Sequence, residues 1–289
     1  MNRAKAVFVS LYLAACAAAA SLAAYQILRF GSWAWVGVLA ATLPVLYLSA
    51  GNILLHHSAT TTRWLPVPSA LLVLGTLAPL LPVLPGARTP TLLLVHLALV
   101  IGYAAYLLWY SRFAPRDRTR IRRGHPLPHF TAQDLEGKRV SSRDLAGSPA
   151  LLVFYRGNWC PICVTQVQDL ARSYRALRDR GIRVILVSPQ SPEHTASLAR
   201  RFEVPMEFWI DADLSAARTL GILDAQGLPL GMEVLGYERD TVLPTSILID
   251  GRGVVFHDDQ TDSYRIRPEP EDYLAAFDAH ASRTDSVAA

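Results

Sequence analysis

Acidic residues are absent from the first 116 positions of this 289-residue chain, and all 24 aspartates and glutamates lie from Asp117 onward. Only seven basic residues occur over the same stretch. A soluble domain of roughly a hundred residues without a single carboxylate would be exceptional, because soluble folds cover their surface with charged side chains. The absence excludes one continuous soluble domain and divides the chain in two.

Cysteine is also scarce, since three residues are too few for a disulfide-scaffold protein. A hydrophobic content of 51% excludes a disordered chain. The formal net charge is +4, yet acidic residues outnumber basic ones, 23 to 17, from Gly124 onward. The positive excess therefore lies in and beside the apolar part, and we predict no nucleic-acid partner.

Long charge-free runs fill the N-terminal part of the chain. Four of them, residues 6–28, 32–62, 64–87 and 89–111, are each long enough for a helix that crosses about 30 Å of hydrocarbon. Aromatic residues cluster near their ends, as in an interfacial belt: Trp33, Trp35, Trp64, Trp109 and Tyr110. The third run is the weakest because of its prolines, Pro66, Pro68, Pro79, Pro82 and Pro85. The sequence predicts a multi-pass α-helical transmembrane anchor of about four helices over residues 1–111, in contact with membrane lipid.

Two features inside this anchor have competing interpretations. Leu13-Ala14-Ala15-Cys16 is similar to a lipoprotein processing box, but the chain stays apolar up to Leu28, which favours Cys16 as a small apolar helix residue. His56, His57 and His96 have no carboxylate or cysteine beside them. We therefore expect hydrogen-bonded neutral histidines and no metal site.

Basic residues predict the orientation of the anchor. With four spans, nine of them fall on the side of both termini: Arg3, Lys5, Arg63, Arg112, Arg116, Arg118, Arg120, Arg122 and Arg123. Only Arg29 and Arg88 fall on the other side. This favours a cytoplasmic second domain, with an extracytoplasmic one as the alternative if the third run does not cross. Residues 112–125 are predicted to be a basic juxtamembrane linker beside anionic headgroups.

The rest of the chain alternates between strand and helix patterns. Strands are predicted at 150–155, 182–188, 206–210, 246–250 and 254–257, with a short hairpin over 134–140. Helices are predicted at 163–180, 192–202, 214–220 and 268–280. This order predicts an α/β domain over residues 126–284, followed by a tail at 285–289.

A Cys-x-x-Cys motif, Cys160-Pro161-Ile162-Cys163, follows the first central strand and opens the next helix. Free amides at a helix N-terminus stabilise a thiolate, and Pro161 suits the first helical position. A second cysteine one turn later is close enough to form a disulfide with the first. Because the chain has no second Cys-x-x-Cys or Cys/His pair at zinc-site spacing, we predict a redox dithiol without metal or cofactor.

Four stretches of the second domain resemble the thioredoxin-like superfamily, specifically its redoxin branch of peroxiredoxin-like (AhpC/TSA) and TlpA/ResA-like proteins. The matching residues are 128–138, 152–163, 187–194 and 243–250. The resemblance implies a thioredoxin-like fold, with Cys160 and Cys163 as catalytic residues. It also implies supporting roles for Trp159, Pro161, Arg156, Pro244 and Thr245, with Pro244 as a cis-proline packed against the disulfide.

The chain also departs from both branches. The peroxiredoxin motif has a threonine three residues before its peroxidatic cysteine. If Cys163 is that cysteine, the threonine position holds Cys160, and if Cys160 is that cysteine, the position holds Gly157. The family's later-strand arginine falls in Leu243-Pro244-Thr245. The buried acid of thioredoxins falls on Phe154, so the proton acceptor is unassigned. The candidates for it are Glu193, His194 and Arg156.

Three functions remain open on these residues. In the first, the protein is a membrane-anchored thiol–disulfide oxidoreductase, and Cys160 attacks a substrate disulfide before Cys163 resolves the intermediate. In the second, it is a peroxiredoxin-like thiol peroxidase that reduces hydroperoxides. In the third, it is a non-enzymatic, redox-responsive membrane module. The electron donor, the direction of electron flow and the order of attack stay open.

Overall fold

The computed structural model describes residues 2–47, 65–77, 89–263 and 265–288. The chain divides into two compact units. One consists mainly of Arg3–Arg112, and the other mainly of Phe113–Leu228 and Met232–Ala289. The boundary falls at the beginning of the basic segment that follows the apolar region.

Helices build the first unit. They are α1 (Asn2–Phe30), α2 (Val36–Leu46), α3 (Pro66–Leu77) and α4 (Pro90–Ala105). Helix α4 continues as a π-helical turn, and the stretches Asn2–Phe30 and Pro90–Tyr110 are long and apolar enough to cross a membrane. Trp64, His56, His57, Pro79, Pro82 and Pro85 lie outside the described residues, as do parts of the second and third predicted spans. A total of about four spans therefore stays a prediction.

Small residues bring the helices of the first unit together. A methyl group on Gly37 of α2 would clash with the carbonyl oxygen of Gly75 of α3. A methyl group on Gly102 of α4 would clash with the Tyr12 ring of α1. Packing of this kind, in which backbones approach where Cβ atoms are missing, is typical of helix association in membranes.

A mixed sheet forms the centre of the second unit. Its strands are β1 (Thr131–Gln133), β2 (Arg139–Ser141), β3 (Ala150–Phe154), β4 (Arg183–Ser188), β5 (Glu207–Ile210), β8 (Thr245–Ile249) and β9 (Val255–Asp259), in the order β2-β1-β5-β4-β3-β8-β9. β3, β4 and β5 run parallel, whereas β8 pairs antiparallel with β3 and β9. Two further short strands, β6 (Leu223–Asp224) and β7 (Thr241–Val242), pair with each other.

Helices cover this sheet on both faces. They are α5 (Pro161–Arg172), α6 (Tyr174–Asp179), α7 (Pro192–Ala199), α8 (Ser215–Leu220) and α9 (Pro270–Ala288). Alternate residues of β3 pack into two separate cores. Leu152 and Phe154 pack into the core that contains α8. Leu151 and Val153 pack into the core that contains α5, α7 and α9. A strand buried on both faces has a continuous apolar run, and this confirms the interpretation of residues 150–155 as a central strand.

Two features of the fold differ from the pattern in the sequence. The helix predicted at 163–180 is divided at Ser173, whose ψ of 6° leaves the helical region. The pair β6 and β7 was not predicted, because two-residue strands are too short to show an alternating pattern. The other strands and helices predicted for the second unit are present with shifted ends.

The basic segment at the start of the second unit packs against that unit. The Phe113 amide donates to the carbonyl oxygen of Asp262 at 2.8 Å. Ile121 is buried in the core with α8, and Arg123 pairs with Asp258 at 2.8 Å. These contacts tie the segment to the sheet edge at β9.

Candidate active site

The cysteine motif lies at the carboxyl end of β3, where parallel strands of α/β folds carry their sites. Cys160 is the N-cap of α5, Pro161 is its first residue and Cys163 follows in the first turn. The two Sγ atoms are 2.6 Å apart, and both cysteines are free thiols. Cys160 is 2% exposed and Cys163 is fully buried. The helix start therefore places the two sulfurs in direct contact.

The two thiols differ in acidity. Burial raises the pKa of Cys163, but the hydrogen bond with Cys160, the charge of Arg267, and the backbone N–H and charge of Arg156 outweigh it and lower this pKa from 9.0 to about 6. Burial, the hydrogen bond and the charge on Cys163 raise the pKa of Cys160 well above its usual value. The pair therefore holds one proton near neutral pH, with the negative charge on Cys163.

From the sequence, the free amides of the helix N-terminus are expected to lower the pKa of the first cysteine, Cys160. In the structure it is the second cysteine, Cys163, whose pKa is lowered. The Cys160 side chain makes no hydrogen bond to the free amides of α5. The Cys163 sulfur instead accepts a hydrogen bond from the backbone N–H of Arg156. The hydrogen bond from Cys160, the Arg156 N–H and two arginine charges together lower the Cys163 pKa, and Arg267 is too distant in sequence for a motif to show it.

Arg156 connects the active-site loop to the region around β6 and β7. Its Nη2 donates to Asp224 Oδ2 at 3.0 Å and to the Gly227 carbonyl at 2.6 Å. Its backbone carbonyl accepts from Thr241 Oγ1 at 3.0 Å. The guanidinium lies 4.7 Å from the Trp159 ring centroid, a cation–π distance. Because the side chains of Arg156 and Asp224 are only 5% and 7% exposed, their ion pair is buried.

Gln190 closes the loop from the opposite side. Its Oε1 accepts from the Asn158 amide at 2.9 Å, and its Nε2 donates to Asn158 Oδ1 at 2.9 Å and to the Tyr155 hydroxyl at 3.1 Å. Gly157 has a φ of 140°, and a methyl group there would lie 2.9 Å from Trp159 Nε1. This network orients Trp159 beside Cys160. The sequence reasoning missed Gln190, although it lies in the 187–194 stretch that carries the family resemblance.

Pro244 and Thr245 lie beside the loop, since β8 pairs with β3 in a register that places Thr245 opposite Phe154. The described residues contain no cis peptide bond, so the expectation of a cis Pro244 is wrong for this structure. Trans is the lower-energy isomer, and here Thr245 Oγ1 donates across the proline to the Leu243 carbonyl at 2.9 Å.

The three proton-acceptor candidates take different positions. Glu193 lies exposed in the first turn of α7, where hydrogen bonds from Ser191 and from its own backbone amide lower its pKa. His194 contacts the Tyr237 ring at 4.1 Å and the Leu235 carbonyl at 3.1 Å. Of the three, Arg156 is the one that acts on both cysteines. An arginine keeps its charge, so it stabilises a thiolate and does not accept a proton.

A buried hydrogen-bond network that includes the Tyr273 hydroxyl contacts α5. The Tyr273 hydroxyl lies 2.7 Å from Ser246 Oγ and accepts from Gln166 Nε2 at 3.2 Å. Gln166 is three residues after Cys163 on the same helix. Burial raises the pKa of Tyr273, so this hydroxyl stays protonated. Among the described residues, no group of three or more His, Cys, Asp or Glu side chains could hold a metal ion.

Known proteins resemble the second unit. Residues 123–257 match the model of the AhpC/TSA family. The thiol-disulfide oxidoreductase ResA of Halalkalibacterium halodurans is 29% identical over 157 residues, which cover 54% of this chain and 78% of that protein. The chloroplastic peroxiredoxin Q of Gentiana triflora is 27% identical over 103 residues, which cover 36% of this chain and 48% of that protein. The AhpC crystal structure from Enterococcus faecalis aligns with a TM-score of 0.46 at 20% identity, over 58% of this chain and 96% of that one. The second unit therefore resembles the AhpC/TSA redoxins and has a thioredoxin-like α/β fold, and the chain is a thiol-dependent oxidoreductase.

Proposed function

We propose that this protein is a membrane-anchored thiol–disulfide oxidoreductase whose Cys160 and Cys163 alternate between dithiol and disulfide. The supporting observation is the geometry of the pair, two free thiols 2.6 Å apart of which one has a pKa lowered to about 6. A thiolate is the nucleophile in thiol–disulfide exchange, and a neighbouring thiol resolves the mixed disulfide. Protein disulfides and dithiols are the proposed substrates.

The first step begins at Cys160, because its neighbours are more accessible than those of Cys163. Trp159 and Pro161 beside Cys160 are half-buried, whereas Val164 and Gln166 near Cys163 are buried. The Cys160 proton passes to the Cys163 thiolate across their 2.6 Å contact. The Cys160 sulfur then attacks one sulfur of the substrate disulfide. A mixed disulfide forms, and the other substrate sulfur leaves as a thiolate. Cys163 thereby serves as the proton acceptor that the sequence left unassigned.

The second step releases the substrate. The Cys163 sulfur attacks the Cys160 sulfur of the mixed disulfide, and its proton goes to the departing substrate thiolate. The pair loses two electrons and becomes a disulfide, while the substrate disulfide gains them and becomes two sulfhydryl groups. An electron donor must then reduce the pair again. In reverse, the disulfide form oxidises a substrate dithiol.

Membrane anchoring draws support from α1 and from the Pro90–Tyr110 stretch. Their most apolar windows are only 22% and 28% buried within the protein, whereas a core helix of a soluble protein is mostly covered. The exposed apolar side chains of these helices require lipid or another apolar cover. We propose a multi-pass anchor with the redoxin domain on the cytoplasmic side, where basic residues accumulate.

A thiol peroxidase is the second candidate, and the acidity of Cys163 favours it. The Cys163 thiolate would attack the O–O bond and become a sulfenic acid, with an alcohol or water leaving after protonation. The Cys160 thiol would then condense with the sulfenic acid, forming the disulfide and releasing water. The missing threonine hydroxyl of the peroxiredoxin motif speaks against efficient catalysis.

One experiment separates these functions. The full chain is reduced, and its oxidation is followed with a model protein disulfide and, separately, with hydrogen peroxide. We expect fast reaction with the disulfide, abolished in Cys160→Ser and slowed and stopped at the mixed disulfide in Cys163→Ser. Cys16→Ser is the matched control, because Cys16 lies in α1 and should leave the rate unchanged.

The other outcomes are equally informative. Fast peroxide consumption that Cys160→Ser keeps and Cys163→Ser loses, with negligible disulfide exchange, would establish the peroxidase instead. Rates that neither substitution changes would overturn both enzymatic functions. They would leave the non-enzymatic redox-responsive module as the explanation.

A further inference from the structure

Arg116 extends from the basic segment into the redoxin domain. Its Nη1 donates to Thr245 Oγ1 at 2.9 Å, and its Nη2 donates to the Pro244 carbonyl at 3.3 Å. Nη2 also donates to the Thr261 carbonyl. One guanidinium thus holds the beginning of β8 and the chain just after β9, and neither contact follows from a motif in the sequence.

These contacts lie close to the cysteine pair. Thr245 is opposite Phe154, the last residue of β3 before the active-site loop. The Phe113 ring lies 6.0 Å from the Arg116 guanidinium and 5.9 Å from that of Arg156. Arg156 in turn donates its backbone N–H to Cys163. A continuous path of contacts therefore connects Arg116 to the acidic thiol.

The surroundings keep Arg116 charged and in place. Burial lowers its pKa to about 10, the Asp259 and Asp224 charges raise it, and Arg118 and Arg267 lower it further. At neutral pH the guanidinium is still protonated. Its Nε is buried and has no hydrogen-bond partner among the described residues. Planar, forked donors of this kind fix geometry in a way that a lysine cannot reproduce.

We propose that Arg116 is a positioning residue for the cysteine pair. It holds the Pro244–Thr245 turn and the Phe113–Arg156 contact in place, and so keeps the active-site loop in the geometry that brings the two sulfurs together. The inference rests on the proposed function only in requiring that Cys160 and Cys163 form the redox pair. It also changes the role of the basic segment, which was predicted to contact lipid headgroups. At least one of its arginines instead serves the active site.

The test compares three variants of the full chain. Arg116→Gln removes both the positive charge and the forked donor geometry of the guanidinium. Arg116→Lys keeps the charge but not that geometry. Arg120→Gln is the matched control, because Arg120 is 53% exposed and its contacts are to Asp117 at 3.5 Å and the Thr219 carbonyl at 3.3 Å. Each variant is measured for kcat and KM with a model disulfide, and for the pKa of the acidic thiol by thiolate absorbance.

For Arg116→Gln we expect a fall in kcat of about tenfold or more, with KM nearly unchanged and the thiol pKa raised, since a small misplacement of reacting groups is costly. Compared with Arg116→Gln, Arg116→Lys should have a Cys163 pKa closer to that of the wild type, but a kcat that is almost as low. Arg120→Gln should stay within about twofold of the wild type in both. Wild-type kcat and thiol pKa in folded Arg116→Gln would overturn the proposal, as would equal losses in the control.

Failure of the proposed function would be distinguishable from failure of this inference. If the wild-type chain does not react with disulfides, the oxidoreductase proposal fails. The thiol pKa, together with the equilibrium between the cysteine pair and glutathione, still tests Arg116 without a physiological substrate. A raised pKa and a shifted equilibrium in Arg116→Gln alone would support the positioning role. Unchanged values would refute it.

Discussion

At the scale of single residues, Cys160 and Cys163 acquire opposite acidities from their neighbours. Both sulfurs are buried, so desolvation opposes ionisation of either. The hydrogen bond with Cys160, the charges of Arg267 and Arg156 and the Arg156 N–H outweigh this at Cys163, whereas at Cys160 the two arginine charges alone do not. The asymmetry therefore depends on what donates to each sulfur, and substitutions can change it.

The first prediction concerns the hydrogen bond between the sulfurs. Cys160→Ala removes this bond, which is the largest contribution that lowers the Cys163 pKa, so this pKa should rise from about 6 toward 9.0. Cys160→Ser keeps a hydroxyl donor and should raise it less. Thiolate absorbance against pH measures both. An unchanged midpoint in Cys160→Ala would show that the arginines suffice without the neighbouring thiol.

Sequence reasoning identified the cysteine pair and Arg156, Trp159 and Pro161 because these residues form one short contiguous motif. It could not identify Arg267, Asp224 or Gln190, which reach the same site from distant parts of the chain. Nor could it decide which thiol is acidic, because that depends on charges that only the folded chain brings together.

At the scale of elements, the active-site loop is fixed between two supports. The pair β6 and β7 holds it through Arg156, and the segment before α7 holds it through Gln190. The sequence predicted the strand, turn and helix of the motif from local hydrophobic patterns and a helix-start proline. It missed the first support, because a two-residue strand and a buried ion pair leave no periodic signal.

The second prediction tests the support from β6. Asp224→Asn leaves the buried Arg156 charge with weaker pairing, and losing one partner of a buried pair costs about 3–5 kcal/mol. Glu207→Gln is the control, since Arg183 and Glu207 are 33% and 37% exposed and such a pair contributes at most about 1 kcal/mol. Thermal unfolding measures the difference. Equal shifts in the two variants would contradict a special role for the buried pair.

At the scale of the whole molecule, the chain joins an acid-free helical unit to a redoxin domain. The distribution of charge predicted this division, and the boundary before Phe113 lies close to the predicted end of the anchor at residue 111. The span count could not be checked in the same way, because residues 48–64 and 78–88 lie outside the described part of the chain. Orientation stays a prediction of the basic residues alone.

The third prediction tests that orientation. Lys138 is exposed in the turn between β1 and β2, so Lys138→Cys offers a reactive thiol on the redoxin domain, whereas the native cysteines are buried. A membrane-impermeant maleimide should not label it in intact cells but should label it after permeabilisation. The wild-type chain controls for background. Labelling in intact cells would place the domain outside the cytoplasm.

The single proton between Cys160 and Cys163 also sets how strongly the pair holds electrons as pH changes. Above the lowered pKa of Cys163, oxidation releases two electrons but only one proton. The reduction potential should then fall by about 30 mV per pH unit, half the slope of an ordinary dithiol. Against glutathione, the balance should shift about tenfold per pH unit toward the reduced protein. An alkaline compartment would thus make this pair a better acceptor of electrons from glutathione and other ordinary thiols, without any change in its contacts.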